Sequence, residues 1–293
     1  MKSIKILFVL FNLLQISYLR AQSVEDLLNT QGSNEKEYVH NTFKSSRIVN
    51  LASTEMIPKR TLELRISHRM GTIDNGFYDI FGLDNATMRF GFDYGITNRI
   101  QIGFGRSTFE KTYDFSSKIS LLRQTYKSNS MPISLLINGN ASINTLKQSF
   151  EFFENKHRME YVAQIIIARK FGEILSLQCS PTFTHRNLVE SNLDNNDNFA
   201  LGTAARIKLS NRVHITAEYI ARIPQPKEGS FDKEYTKDAL SFGVDLDTGG
   251  HIFQLFFTNS AAFNESGVVN KTYDSWSKSK FRFGFNLTRQ FGF

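Results

Sequence analysis

Hydrophobic and polar positions alternate with a period of two along most of this chain, most plainly at its end. From Lys280 to Phe293, the residues Phe281, Phe283, Phe285, Leu287, Phe291 and Phe293 fall on one side of an extended strand. Arg282, Gly284, Asn286, Thr288, Gln290 and Gly292 fall on the other. Successive strand side chains point to opposite faces, so this is a strand with one apolar and one polar face. A row of large apolar groups that ends on an aromatic residue suits a wall with lipid outside and polar material inside.

The same alternation recurs from residue 60 onward and predicts twelve strands. They run over residues 60–70, 86–94, 100–105, 112–121, 133–142, 158–170, 175–184, 198–209, 212–223, 240–247, 253–258 and 280–293. In the second, Met88, Phe90, Phe92 and Tyr94 oppose Thr87, Arg89, Gly91 and Asp93. Segments of about nine to eleven residues cross a bilayer when tilted. An even count suits a single-chain bacterial barrel. The connections alternate as well. Those at 95–98, 171–173, 210–212 and 248–250 are short, and those at 71–85, 144–156, 187–197, 224–238 and 261–279 are long and polar. Two connections, 109–111 and 123–131, break this alternation. Short turns on the periplasmic side and long loops outside would leave both termini in the periplasm.

Residues 1–21 read as an export signal, with Lys2 and Lys5, an apolar run over Ile6 to Leu14, and small Ala21 before the cut. Its loss would lower the net charge from +7 to +4. No other segment approaches the roughly 18 apolar residues of a membrane helix. The slightly negative mean hydropathy of -0.29 fits a barrel, in which only alternate residues meet lipid. The single Cys179 excludes an internal disulfide framework. Residues 22–59 are polar and lack sustained alternation. Within them, Thr42 to Asn50 fits a periplasmic extension, an extra strand, or a plug folded into the barrel.

Parity sorts the charges. The outer face is nearly free of them, and Arg106, Arg123 and Arg289 fall near predicted strand ends, where long side chains reach headgroups. The lumen face carries Arg65, Arg69, Arg89, Lys118, Arg158, Lys170, Arg206, Lys208, Arg212, Arg222 and Arg282. Glu63, Asp93, Asp114, Glu160, Glu218, Asp245 and Asp247 oppose them there. Two readings stand. A lumen with excess positive charge favours passage of small polar, in particular anionic, solutes. Alternatively the charges pair across a narrow interior and close it.

Catalytic chemistry has little to rest on. A barrel phospholipase would need His-x-Ser on a lipid-facing strand, and the nearest match, His214-x-Thr216, faces the lumen by parity. Asp245 and Asp247 read as ion-pair partners rather than as a protease pair. His68, His157 and His185 are scattered and make no metal site. The basic residues gather in no patch for nucleic acid.

Thr42-Phe43-Lys44-Ser45-Ser46-Arg47, Arg65-Ile66-Ser67-His68-Arg69, Phe81-Gly82-Leu83-Asp84, Gly91 to Thr97, Gly105-Arg106-Ser107 and Gly249 to Gln254 carry a resemblance. The chain resembles a family of uncharacterised outer-membrane β-barrel proteins from the Bacteroidota over most of its mature length. The resemblance implies fold and location and no activity.

The expectation is an all-β transmembrane antiparallel barrel over residues 60–293, preceded by a periplasmic or lumen-inserted segment at 22–59. It has no cofactor and is not an enzyme. Its partners are outer-membrane lipid, a small polar solute, and the barrel-insertion machinery, which would read Phe291 and Phe293. Lys44 and Arg47 are the candidate plug residues. A closed, structural or partner-binding barrel is the alternative to a channel.

Overall fold

The computed structural model describes residues 37–126, 131–147 and 154–293. The expected export signal at 1–21 lies outside the described residues. Twelve strands form a closed barrel in which each pairs with its sequence neighbours. They are β1 (Thr61–Thr72), β2 (Ala86–Thr97), β3 (Ile100–Ser107), β4 (Tyr113–Leu122), β5 (Ser134–Ile143) and β6 (Met159–Phe171). The second half comprises β7 (Leu175–Arg186), β8 (Asp197–Lys208), β9 (Val213–Arg222), β10 (Ala239–Asp247), β11 (His251–Thr258) and β12 (Arg282–Gly292). All pairs are antiparallel, and β12 closes on β1 in a register that sets Leu62 opposite Phe291 and Arg69 opposite Gly284. Closure removes the open edges that hydrocarbon cannot tolerate.

Alternation follows from this geometry. Phe90, Phe92, Phe104, Phe115 and Phe257 are exposed on the outside, while Arg65, Asp114, Lys118 and Glu218 are buried inside. Two of the outward arginines lie over aromatic rings, Arg106 over Tyr113 at 5.5 Å and Arg289 over Phe291 at 5.0 Å. Their stems can stay apolar while the charge reaches the interface. The final strand begins at Arg282, two residues later than expected. Phe281 instead stacks on Trp276 at 4.3 Å, and the Trp276 indole donates to the Leu240 carbonyl at 2.9 Å.

Short turns and both ends of the wall share one rim. Gly172 takes a φ of 59° in the β6–β7 turn, a conformation that costs glycine nothing. The opposite rim carries the long connections. Two of these hold short helices, α1 (Phe231–Tyr235) and α2 (Glu265–Asn270). The β11–β12 connection departs from the polar, solvated loop expected of it. Its residues 262–270 are all buried, because it folds back into the lumen. Ala262, Phe263, Val268 and Val269 give it the apolar surface to do so.

Residues 42–57, the plug segment, lie inside the wall. The chain enters beside the β4–β5 connection, where Val39 N donates to Gln124 O at 2.8 Å. It then runs inside the wall. Phe43, Ile48, Val49, Leu51, Ala52 and Ile57 are each at most 4% exposed. It leaves past Gly95, where any Cβ would overlap the carbonyl oxygens of Ile57 and Pro58.

Candidate functional site

The plugged lumen is where polar chemistry concentrates. The plug folds as a tight reversal, with Ile48 N donating to Leu51 O at 2.9 Å and Ser53 N to Ser46 O at 3.0 Å. Its backbone pairs with no wall strand among the described residues; instead, wall side chains meet its main chain. Glu218 on β9 accepts from the amides of Val49 at 3.2 Å, Asn50 at 2.9 Å and Leu51 at 3.1 Å. The Asn50 side-chain amide donates to the same carboxylate. Lys118 on β4 donates to the carbonyls of Ser46, Ser53 and Glu55 at 3.2, 2.9 and 2.8 Å. Gln254 donates to Ile48 O at 2.6 Å, and Gln178 donates to Ala52 O at 2.8 Å. Gln101 accepts from Ile57 N at 3.1 Å. Buried backbone groups need such partners, and here the wall supplies them.

The charged residues divide into pairs and plug contacts. Arg89 grips Asp114 in a two-point bridge at 2.9 and 2.5 Å. Arg65 pairs with Glu63 and donates to Ser46 Oγ, which itself donates to Glu63 at 2.5 Å. Asp93 is buried on β2, and Arg206 is buried on β8. Asp245 accepts from Gln254 at 3.1 Å. Lys44 bridges to Asp247 at 3.0 Å, and Arg47 pairs with Glu265. Nearer the long-loop rim, Arg186 and Arg222 meet Asp232 of α1 at 2.6 and 3.2 Å. Glu160 joins Lys271 at 2.7 Å, Arg158 donates to Leu146 O at 2.6 Å, and Arg282 pairs with Asp274.

Lys208 sits half-buried at the short-turn end of β8, 3.9 Å from Glu173. Arg212 departs from its expected place inside the lumen. It is exposed in the β8–β9 turn, because β9 begins only at Val213 and parity has no meaning beyond a strand end. Phe291 and Phe293 are exposed at the short-turn rim, where Phe293 N donates to Arg60 O at 2.9 Å.

The expected lumen face was polar and small, which misses an apolar sector. Leu136, Val162, Ile166, Ala168, Ala200, Ala204, Ile220 and Ala239 point inward and are buried. Phe43, Ile48 and Leu51 of the plug share one cluster with Ala168, Ala200, Ala204 and Ile220. Parity already put these residues on the inner face. Apolar groups recurring where water was expected are a signature of something packed against them.

Two cavities lie on either side of this filling. One of about 380 Å³ opens at the short-turn rim between Glu55, Met56, Leu122 and Arg123. Another of about 160 Å³ opens at the long-loop rim beside Glu160, Arg186, Lys271 and Tyr273. The plug and the inward-folded loop lie between them. Glu55 is half-buried in the lining of the larger cavity. Burial raises its carboxyl above the ordinary value, against the opposing pull of the Phe43 and Thr42 amides and of Lys118 and Arg206.

A closed twelve-stranded wall, apolar outside and filled with paired charges and a plug inside, defines a membrane β-barrel. The chain belongs to the family described as "Membrane bound beta barrel domain" (DUF5777), whose model matches residues 43–291. That span starts within the plug, so the plug is part of the family's domain. None of the curated proteins matches the chain.

Among solved structures, the chain is similar to an outer membrane channel from Pseudomonas putida F1. Identity is 11% and the TM-score is 0.51, with 83% of this chain and 100% of that one covered. It is also similar to the KdgM porin, at 8% identity and a TM-score of 0.43 over 80% and 99% of the two chains. A third match is Omp33 of Acinetobacter baumannii, at 9% identity and a TM-score of 0.41 over 80% and 99%. At these identities the likeness concerns the fold.

Proposed function

We propose that this protein is an outer-membrane channel for small polar solutes, held shut by its own N-terminal plug. The observation that carries this reading is the independence of wall and plug. The ladder of twelve strands closes by the pairing of β1 with β12, whereas the plug is bound by side chains. A plug outside the ladder can leave without opening an edge to lipid. The wall it would uncover is charged and polar at Arg65, Arg69, Lys118 and Arg206 and at Glu63, Asp93, Glu218 and Asp245, beside an apolar sector at Leu136, Ile166, Ala200, Ala204 and Ile220. Its charged part carries water, and because Arg89, Lys170, Arg186, Arg222 and Arg282 are also buried on the wall strands while Asp114 is the one further buried carboxylate there among the described residues, the excess of cations favours anions. The channel character of the Pseudomonas relative supports the same reading.

The short-turn rim, with both ends of the wall, would face the periplasm, and residues 1–21 would direct export. The exposed Phe291 and Phe293 would meet the insertion machinery.

A permanently closed barrel is the competing reading, favoured by how deeply the plug is packed, with Ile57 at 0% exposed. Planar-bilayer recording separates the two. Leu51→Asp, which places a charge in the apolar cluster, should raise anion-selective conductance over the wild type. A folded variant that never conducts would eliminate the channel.

A further inference from the structure

We propose that the plug and the inward-folded β11–β12 loop form a single gate, so that neither end of the lumen opens without the other. This regulates the channel proposed above, but its contacts do not depend on that reading. The plug enters from the short-turn rim and the loop from the long-loop rim, and the two meet inside the barrel. Arg47 of the plug pairs with Glu265 of α2 and also donates to Phe263 O at 3.5 Å. The Arg47 and Glu265 side chains are 12% and 2% exposed, so little solvent screens the pair.

Arg69 on β1 ties the same two segments to the wall. One arm of its guanidinium donates to Asn50 Oδ1 in the plug at 2.6 Å. The other donates to Ser260 O at 3.2 Å and to Ala262 O in the loop, and the group lies 4.6 Å from the Phe263 ring. The apolar groups agree. Phe43, Ile48 and Leu51 of the plug belong to one buried cluster with Ala262, Val268 and Val269 of the loop.

The outer end of the loop is fastened at the long-loop rim, where Lys271 reaches Glu110 at 2.6 Å and Glu160 at 2.7 Å. Lys237 N donates to Thr272 O at 2.7 Å, linking the neighbouring connection. Withdrawing α2 would therefore strip Arg47 and Glu265 of each other and expose one side of the plug's apolar cluster. Withdrawing the plug would do the same to the loop. Coupling of this kind is reciprocal: whatever favours release at one rim favours it at the other by the same factor. An event on the outer loops thus reaches the N-terminal segment on the opposite side of the membrane.

Hydrogen–deuterium exchange on the full-length protein in lipid nanodiscs tests this. In Glu265→Gln, amides 47–53 of the plug should exchange at least about fivefold faster than in the wild type. Arg47→Gln should raise plug exchange by a smaller factor in the Glu265→Gln background than in the wild type, because the two substitutions share the Arg47–Glu265 contact, whereas the Arg47 bonds to Asn50 O and Phe263 O are lost in both backgrounds. A lock acts in the opposite direction. Asn264 donates to Ser142 Oγ at 3.0 Å, so Asn264→Cys with Ser142→Cys, in a Cys179→Ser background, pins the loop to β5 by a disulfide. Oxidation should then protect the plug even in a Glu218→Gln background. Exchange that rises only within the loop in Glu265→Gln would overturn the proposal. So would plug exchange that ignores the oxidised lock. Conductance is read separately: a barrel that never conducts would sink the channel and leave this coupling standing. A conducting barrel with uncoupled exchange would do the reverse.

Discussion

Two sectors of the inner wall hold the plug by different physics. On β5, β6, β8, β9 and β10 the inward face includes Leu136, Ile166, Ala168, Ala200, Ala204, Ile220 and Ala239. On β1, β2 and β4 it is charged, with Glu63, Arg65, Arg69, Arg89, Asp93, Asp114 and Lys118. The apolar sector supplies strength without direction, since hydrophobic burial scales with area and has no preferred angle. The charged sector supplies direction. Lys118 meets three plug carbonyls, and Arg65 meets Ser46. Glu218 brings the same kind of directed contact to the apolar side, at the reversal of the plug. The wall thus combines a sticky side with a register-setting side.

The sharpest way to break this division is to take space from the apolar side. A Cβ on Gly202 would stand 2.8 Å from Leu51 Cδ2. Gly202→Val should push Leu51 out of its cluster while leaving the β8 ladder intact. Loss of a buried leucine contact is worth about 1.5–3 kcal/mol. Bilayer conductance should rise at least about tenfold, and an unchanged trace would show that the plug adapts in place.

Glu218→Gln attacks directionality instead. It removes the charge that several amides share, and hydrogen bonds to charged groups contribute about 1.5–3 kcal/mol. Protease nicking within residues 42–57 should increase, though less than in Gly202→Val.

Glu55 sharpens the comparison through pH. Its raised carboxyl keeps its proton in the folded state where the unfolded chain has lost it. The resulting contribution to plug seating is complete below about the ordinary value of 4.5 and is lost as pH rises through the folded value. Plug protection should therefore weaken as pH rises above the ordinary carboxylate value, and Glu55→Gln should flatten that slope. The control is Lys233→Ala. Lys233 and Glu228 form an exposed pair at 3.1 Å outside both sectors. Melting should shift by no more than about 0.5 kcal/mol equivalent, with no change in conductance.

How much of this was legible in the sequence follows from what enforces each part. Lipid tolerates no charge on Phe104 or Phe115, so the alternation there is strict and all twelve strands could be read. The plug has no comparable constraint. Its backbone is satisfied by Glu218, Gln254 and Lys118, which lie far away in sequence, and no local period encodes such contacts. The inward loop did leave a trace, in Ala261-Ala262-Phe263 and Gly267-Val268-Val269 within a segment expected to be polar. Ala200 and Ala204 on β8 left another. Arg212 was misplaced because alternation was carried past the end of its strand.

The plug is joined to β1 through Pro58, Lys59 and Arg60. An unseated plug therefore cannot diffuse away. It stays tethered at the mouth, at an effective concentration on the order of millimolar for a short link. Reclosure is a first-order event whose rate is independent of how many copies the membrane holds. A synthetic copy of the segment, added in trans, would need comparable millimolar amounts to compete for the vacated seat.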